Sequence, residues 1–108
     1  MSRPLLDRPD VYRALADPTR REILDMLSQR DRNVGEMAVK FAISLPAFSR
    51  HLRTLRQAGL VTERSEGRQR IYHLDPAPLR DVSEWLDRYE RFWRRKLKQL
   101  ARHLEEKP

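Results

Sequence analysis

The sequence predicts a mostly helical α+β fold: five helices, with a two-stranded β-hairpin inserted between the fourth and the fifth. Three observations lead there. Apolar residues recur at helical spacing over several short segments and one long one. Caps and breakers (Asp17-Pro18, Asn33, Ser44, Gly59) separate those segments. After Gly59 the period becomes that of strands, around a Glu66-Gly67 pair suited to a hairpin tip. At 108 residues the chain is one domain, spanning 1–108.

The predicted elements follow in order. Residues 1–6 read as a short arm. Asp7 can cap a first helix over 7–16, with Pro9 in its first turn and Val11, Tyr12 and Leu15 on its apolar side. Asp17-Pro18 starts a second helix, 18–29, with Ile23, Leu24 and Leu27 at core spacing. Residues 29–32 are polar and turn-like. Asn33 and Glu36 are placed as a capping box for a third helix, 34–41. A break at Ala42-Ile43 leads to a fourth, 45–58, capped by Ser44 and ended by Gly59. The third and fourth helices, joined by a few residues, form a helix-turn-helix. The strands lie within 60–74, and the whole is a winged helix-turn-helix.

The last helix, 77–105, carries Leu79, Val82, Leu86, Tyr89, Trp93, Leu97, Leu100 and Leu104 in steps of three and four. Trp85 and Phe92 widen the stripe. About 26 residues at 1.5 Å each make a helix of roughly 40 Å, long for a domain this small. One thin domain cannot easily cover so many aromatic side chains. The stripe is therefore expected to pair with a second copy, through Val11, Tyr12 and Leu15 of the first helix and Leu86, Tyr89, Trp93, Leu97 and Leu100 of the last. An apolar pocket near Trp85, Tyr89 and Trp93 is a weaker reading, and whether any small-molecule inducer exists stays open.

Composition narrows the partners. The balance of 39% hydrophobic to 36% charged residues is lean for a core, which also favours an oligomer. Net charge is +7, which suits nucleic acid, an anionic membrane or an acidic partner. Between residues 44 and 74, Arg50, Arg53, Arg56, Arg64, Arg68 and Arg70 face only two acids, Glu63 and Glu66. The fourth helix places Phe48, Leu52 and Leu55 inward and leaves Ser49, Arg50, Arg53, Thr54, Arg56 and Gln57 outside, with no acid among them. A solvated face normally mixes signs. A one-signed face rich in arginine and hydroxyls suits the DNA major groove, so double-stranded DNA is the expected partner. Cysteine is absent, which excludes disulfides and thiolate metal sites and fits a cytoplasmic protein. No apolar run approaches a membrane span, and the charges of the last helix are mixed, so no membrane partner is expected. No cofactor is expected, since the glycines form no phosphate-cradling loop. Paired carboxylates and a Ser/His/Asp arrangement are missing too, so no enzyme is expected.

Taken together, these pieces resemble the ArsR/SmtB family of bacterial winged-helix repressors. The resemblance rests on ALADPTRREILDML (14–27), VGEMA (34–38), SRHLRTLRQAGLV (49–61) and EGRQRIYHLDPAPL (66–79), and extends over 11–104. The RFW run at 91–93 looks like the autorepressor-type branch that lacks metal sites. The resemblance implies a homodimer that binds an inverted-repeat operator and represses, often at its own promoter. It implicates Ser44, Ala47, Ser49, Arg50, His51, Arg53, Arg68 and Arg70 against DNA, with Arg20 a weaker candidate. Metal-sensing members carry a cysteine pair where this chain has Met37, Ala38, Val39 and Lys40. Others use Asp and His pairs on the last helix, where this chain has a single histidine, His103, with no second one at i+3 or i+4. No metal site is therefore expected. Leu45 stands where the family usually has a polar residue; it either meets a thymine methyl or packs. The alternative reading is a protein-binding or non-specific architectural winged helix.

Overall fold

The computed structural model describes residues 11–106. Helix α1 (Val11–Leu15) leads into α2 (Pro18–Gln29), whose first turn is capped by Asp17: its carboxylate accepts the amides of Thr19 at 2.7 Å and Arg20 at 3.1 Å. Residues 7–10, expected to begin the first helix, lie outside the described residues. A two-residue strand β1 (Arg32–Asn33) follows, then α3 (Val34–Ala38), α4 (Leu45–Gln57), β2 (Val61–Glu66), β3 (Gln69–Leu74) and α5 (Leu79–Glu106).

Local chemistry sets these boundaries. Asn33 and Glu36 form the reciprocal capping box, at 2.8 and 3.1 Å. Helix α3 stops at Ala38, three residues short of the sequence expectation. The amides of Lys40 and Phe41 reach back only three residues, to Met37 and Ala38, and this tighter turn ends the α-helical ladder. Phe41 instead folds onto Phe48, with ring centroids 5.4 Å apart. The Ser44 hydroxyl accepts the Ala47 amide at 3.2 Å and caps α4. At the far end Gly59 takes φ +78°, with Leu60 N bonded to Leu55 O and Gly59 N to Arg56 O. That is the Schellman arrangement, which needs a residue free to adopt the left-handed region.

The sheet is antiparallel, in the order β1-β3-β2. The hairpin tip is Gly67-Arg68, one residue later than the expected Glu66-Gly67, because Glu66 pairs with Gln69. Gly67 has φ +61° at the first central position, as a type II′ loop requires. Strand β1 was not expected. It adds Arg32 and Asn33 beside Tyr72 and Ile71, and so seats the wing on the start of α3.

The core gathers one face of each element. Ile23, Met37, Phe48, Leu55, Leu60 and Val61 are fully buried, with Leu24, Leu27, Leu52 and Tyr72 close behind. Val11, expected at an interface, is only 6% exposed and packs into this same core, so it has little surface left for a second copy. Helix α5 behaves differently. Leu79 and Val82 touch the core, but none of its 28 residues is buried, and every residue from 83 to 106 is exposed. At 1.5 Å per residue the rod is about 42 Å long. The radius of gyration is accordingly 18.7 Å, against roughly 13 Å for a compact chain of this length. Tyr12 braces the base of the rod: its hydroxyl donates to the Asp81 carbonyl at 3.0 Å, and its ring meets Trp85 edge-on at 6.1 Å.

Candidate nucleic-acid interface

The outward face of α4 is built by default. Once Phe48, Leu52 and Leu55 have turned inward, Ser44, Leu45, Ser49, Arg50, Arg53, Arg56 and Gln57 stand exposed, with Ala47, His51 and Thr54 half-buried along the margin. Leu45 is 59% exposed at the front of the helix, so it is not a core residue. Arg50 and Arg53 lie three positions apart, on neighbouring turns of one side.

Ion pairs divide the arginines of this region into two sets. Arg56 is held by Glu63 at 2.9 Å, which ties the end of α4 to β2. Arg64 is held by Asp31 and by Glu66, both at 2.7 Å. Arg70 has only a long contact to Glu63 at 4.0 Å. Arg50, Arg53 and Arg68 have no acidic partner among the described residues. The acids that fix the wing are therefore spent on Arg56 and Arg64, while the cations at the helix front and the wing tip keep their charge available. Arg68 and Arg70 also border an open cleft of about 380 Å³ between the wing and the start of α3, lined on the other side by Asn33, Val34 and Gly35.

Asp31 anchors the wing to the body. One carboxylate oxygen takes Arg64, and the other lies 2.7 Å from His73 Nδ1. These contacts, Arg64 first and then His73, hold the Asp31 carboxyl below its ordinary range, and Asp31 with Glu66 pushes Arg64 up. Glu63 is likewise held down, first by the Tyr72 hydroxyl and then by Arg56 and Arg70. His73 thus serves the wing anchor, and Tyr72 is a core strand aromatic. His103 is exposed on α5. No group of three or more potential metal ligands exists among the described residues. No described helix is long and apolar enough to cross a membrane.

Arg20 occupies a different position from the other candidates. Its Nε donates to the Ala14 carbonyl at 2.7 Å and its Nη2 to the Arg13 carbonyl at 3.0 Å, while Nη1 lies 3.2 Å from His51 Nδ1. Burial works against ionisation of the nearby Asp17. The amides of Arg20 and Thr19, with the charge of Arg20, outweigh it and hold the Asp17 carboxyl low. The Asp31 anchor and the Arg20–His51 contact were both missed by sequence reasoning. Their partners lie 31 to 42 residues apart, and no spacing rule connects them.

Comparison with known proteins adds an independent line. The family model described as "Bacterial regulatory protein, arsR family" matches residues 17–63, from the cap of α2 into β2. The HTH-type transcriptional regulator Rv2034 of Mycobacterium tuberculosis is 42% identical over 98 residues, covering 90% of this chain and 89% of its own. The transcriptional repressor SdpR of Bacillus subtilis is 39% identical over 77 residues, covering 71% and 86%. Among solved structures, an ArsR-like transcriptional regulator from Rhodococcus sp. RHA1 superposes with a TM-score of 0.68 at 32% identity, over 91% of this chain and 90% of that one.

Proposed function

Because the chain belongs to the arsR family of bacterial regulatory proteins, and is a transcriptional regulator rather than an enzyme, we propose that it binds an inverted-repeat operator as a homodimer and represses by excluding polymerase. The observation that carries this reading is the unpaired, one-signed face of α4: Arg50 and Arg53 have no acid partner in a region where every nearby acid is already engaged. Helix α4 enters the major groove with Ser44, Ala47, Ser49, Arg50, His51 and Arg53 toward the bases and their flanking phosphates. The wing tip, Arg68 and Arg70, follows the backbone. The stripe on α5 pairs two copies, so that two α4 helices meet successive major grooves about 34 Å apart. The protein works in the cytoplasm, without a metal-sensing site.

The test is a titration against the DNA upstream of its own gene, and against a scrambled duplex, at two salt concentrations. Saturable binding to one inverted repeat, preferred by ~10³ or more over the scramble, is the expected result and indicates autoregulation. If the upstream DNA binds no better, selection from a random duplex pool decides: an enriched inverted repeat keeps the reading at another locus, and no enrichment ends it. Within this reading, Arg68→Ala is expected to weaken binding to all sequences alike and to flatten the salt dependence by about one unit of slope. An unchanged slope removes Arg68 from the interface.

A further inference from the structure

Arg20 lies where three helices meet. Three of its N–H groups are already committed: two to the carbonyls of Arg13 and Ala14 in the last turn of α1, and one toward His51 on α4. A guanidinium can only donate. In the contact with His51 the proton therefore belongs to arginine, and Nδ1 must present its lone pair. A neutral imidazole with a bare Nδ1 carries its proton on Nε2. That Nε2–H has no partner among the described residues. The same α1 whose end Arg20 grips is braced on α5 through Tyr12 and Asp81. One side chain thus joins the α1–α5 side of the molecule to the recognition helix.

We propose that Arg20 is a positioning residue rather than a DNA contact: it clamps the end of α1 to α4 and holds His51 as the Nε2–H tautomer, the form that offers one neutral donor to a DNA phosphate. The second half of this statement rests on the DNA reading of α4; the clamp does not. The arrangement separates position from charge. Arg20 acts through His51, and His51 binds without adding a cation to the interface.

The experiment combines ring ¹⁵N spectra of the free protein with operator titrations of Arg20→Lys, Arg20→Ala, His51→Ala and the Arg20→Lys/His51→Ala double variant. In the wild type, His51 should show a protonated Nε2 and a bare Nδ1. In Arg20→Lys, which keeps the charge but cannot span the three acceptors, the ring should shift to a mixture of tautomers. Its operator affinity should fall about ten-fold, as for the loss of one charged-group hydrogen bond, with the salt slope unchanged. His51→Ala should lose a similar amount, and the double variant no more than His51→Ala alone. A slope reduced by about one unit in Arg20→Lys or in Arg20→Ala overturns the proposal, because Arg20 would then hold a phosphate itself. So would a wild-type ring protonated on Nδ1, or additive losses in the double variant. The wild-type ring spectrum needs neither a variant nor DNA, so it tests the clamp even if Arg20→Lys folds poorly or no operator is found. Failure of operator binding in the wild type, with the tautomer as expected, would instead count against the DNA reading of α4.

Discussion

A chain carrying Tyr89→Glu and Trp93→Glu is expected to keep its winged-helix body folded, run as a monomer at micromolar concentration and lose ~100-fold or more in operator affinity. Both side chains stand half exposed on α5, at 46% and 59%. Neither is needed by the core of its own chain. In a monomer the new carboxylates stay hydrated and cost little. In a paired stripe each would be taken from water without a partner, at several kcal/mol per ion. Sedimentation velocity reads the association state, and far-UV circular dichroism reports whether the helices survive. A stable dimer of wild-type affinity would place the interface somewhere other than this stripe.

The second large effect is expected at α4. Arg50→Ala and Arg53→Ala should each lose on the order of 1–3 kcal/mol of operator binding if each makes a bidentate contact with a base. Random-sequence DNA should suffer much less, because non-specific binding is carried by phosphates. Neither arginine supports the fold: each is exposed and has no acidic partner among the described residues. Melting temperatures should therefore stay close to the wild type. Equal operator affinity in both variants would mean that α4 does not read the groove. A uniform loss on operator and random DNA would make them phosphate contacts. Arg56→Ala serves as the internal contrast. It breaks the 2.9 Å pair with Glu63 and should act on the seating of the wing more than on sequence preference.

Much of this architecture was legible in the residues because it rests on local chemistry. The caps Asp17, Asn33 and Ser44, the Gly59 reversal and the three-residue inward set Phe48, Leu52 and Leu55 all act within a few positions of themselves. The long stripe of α5 was legible for the same reason. What stayed hidden was non-local. Strand β1 is two residues long, too short for any periodicity, and exists because β3 supplies its hydrogen bonds. The early end of α3 accompanies a contact with the next helix, Phe41 on Phe48, that spacing along α3 does not announce. The site shows the same division. An arginine's number on a helix says which way it faces, but not whether an acid from another element has claimed it. The family resemblance left Arg56 and Arg64 out of the DNA-facing set, and their ion pairs with Glu63, Asp31 and Glu66 give the physical reason, which residue spacing alone does not contain. Val11 had the spacing of an interface residue and proved to be core.

The unaccompanied length of α5 has a thermodynamic consequence. An isolated helix in water is marginal without tertiary packing, and beyond Val82 this one has almost none in its own chain. If a second copy supplies that packing, folding of the distal rod and association become one reaction. The midpoint of thermal unfolding then rises with protein concentration, as mass action requires of any fold completed by its partner. In a cell, the fraction of chains able to hold an operator would climb steeply with the number of chains made. A regulator acting on its own promoter would thereby gain a threshold, set by how far α5 outruns its domain.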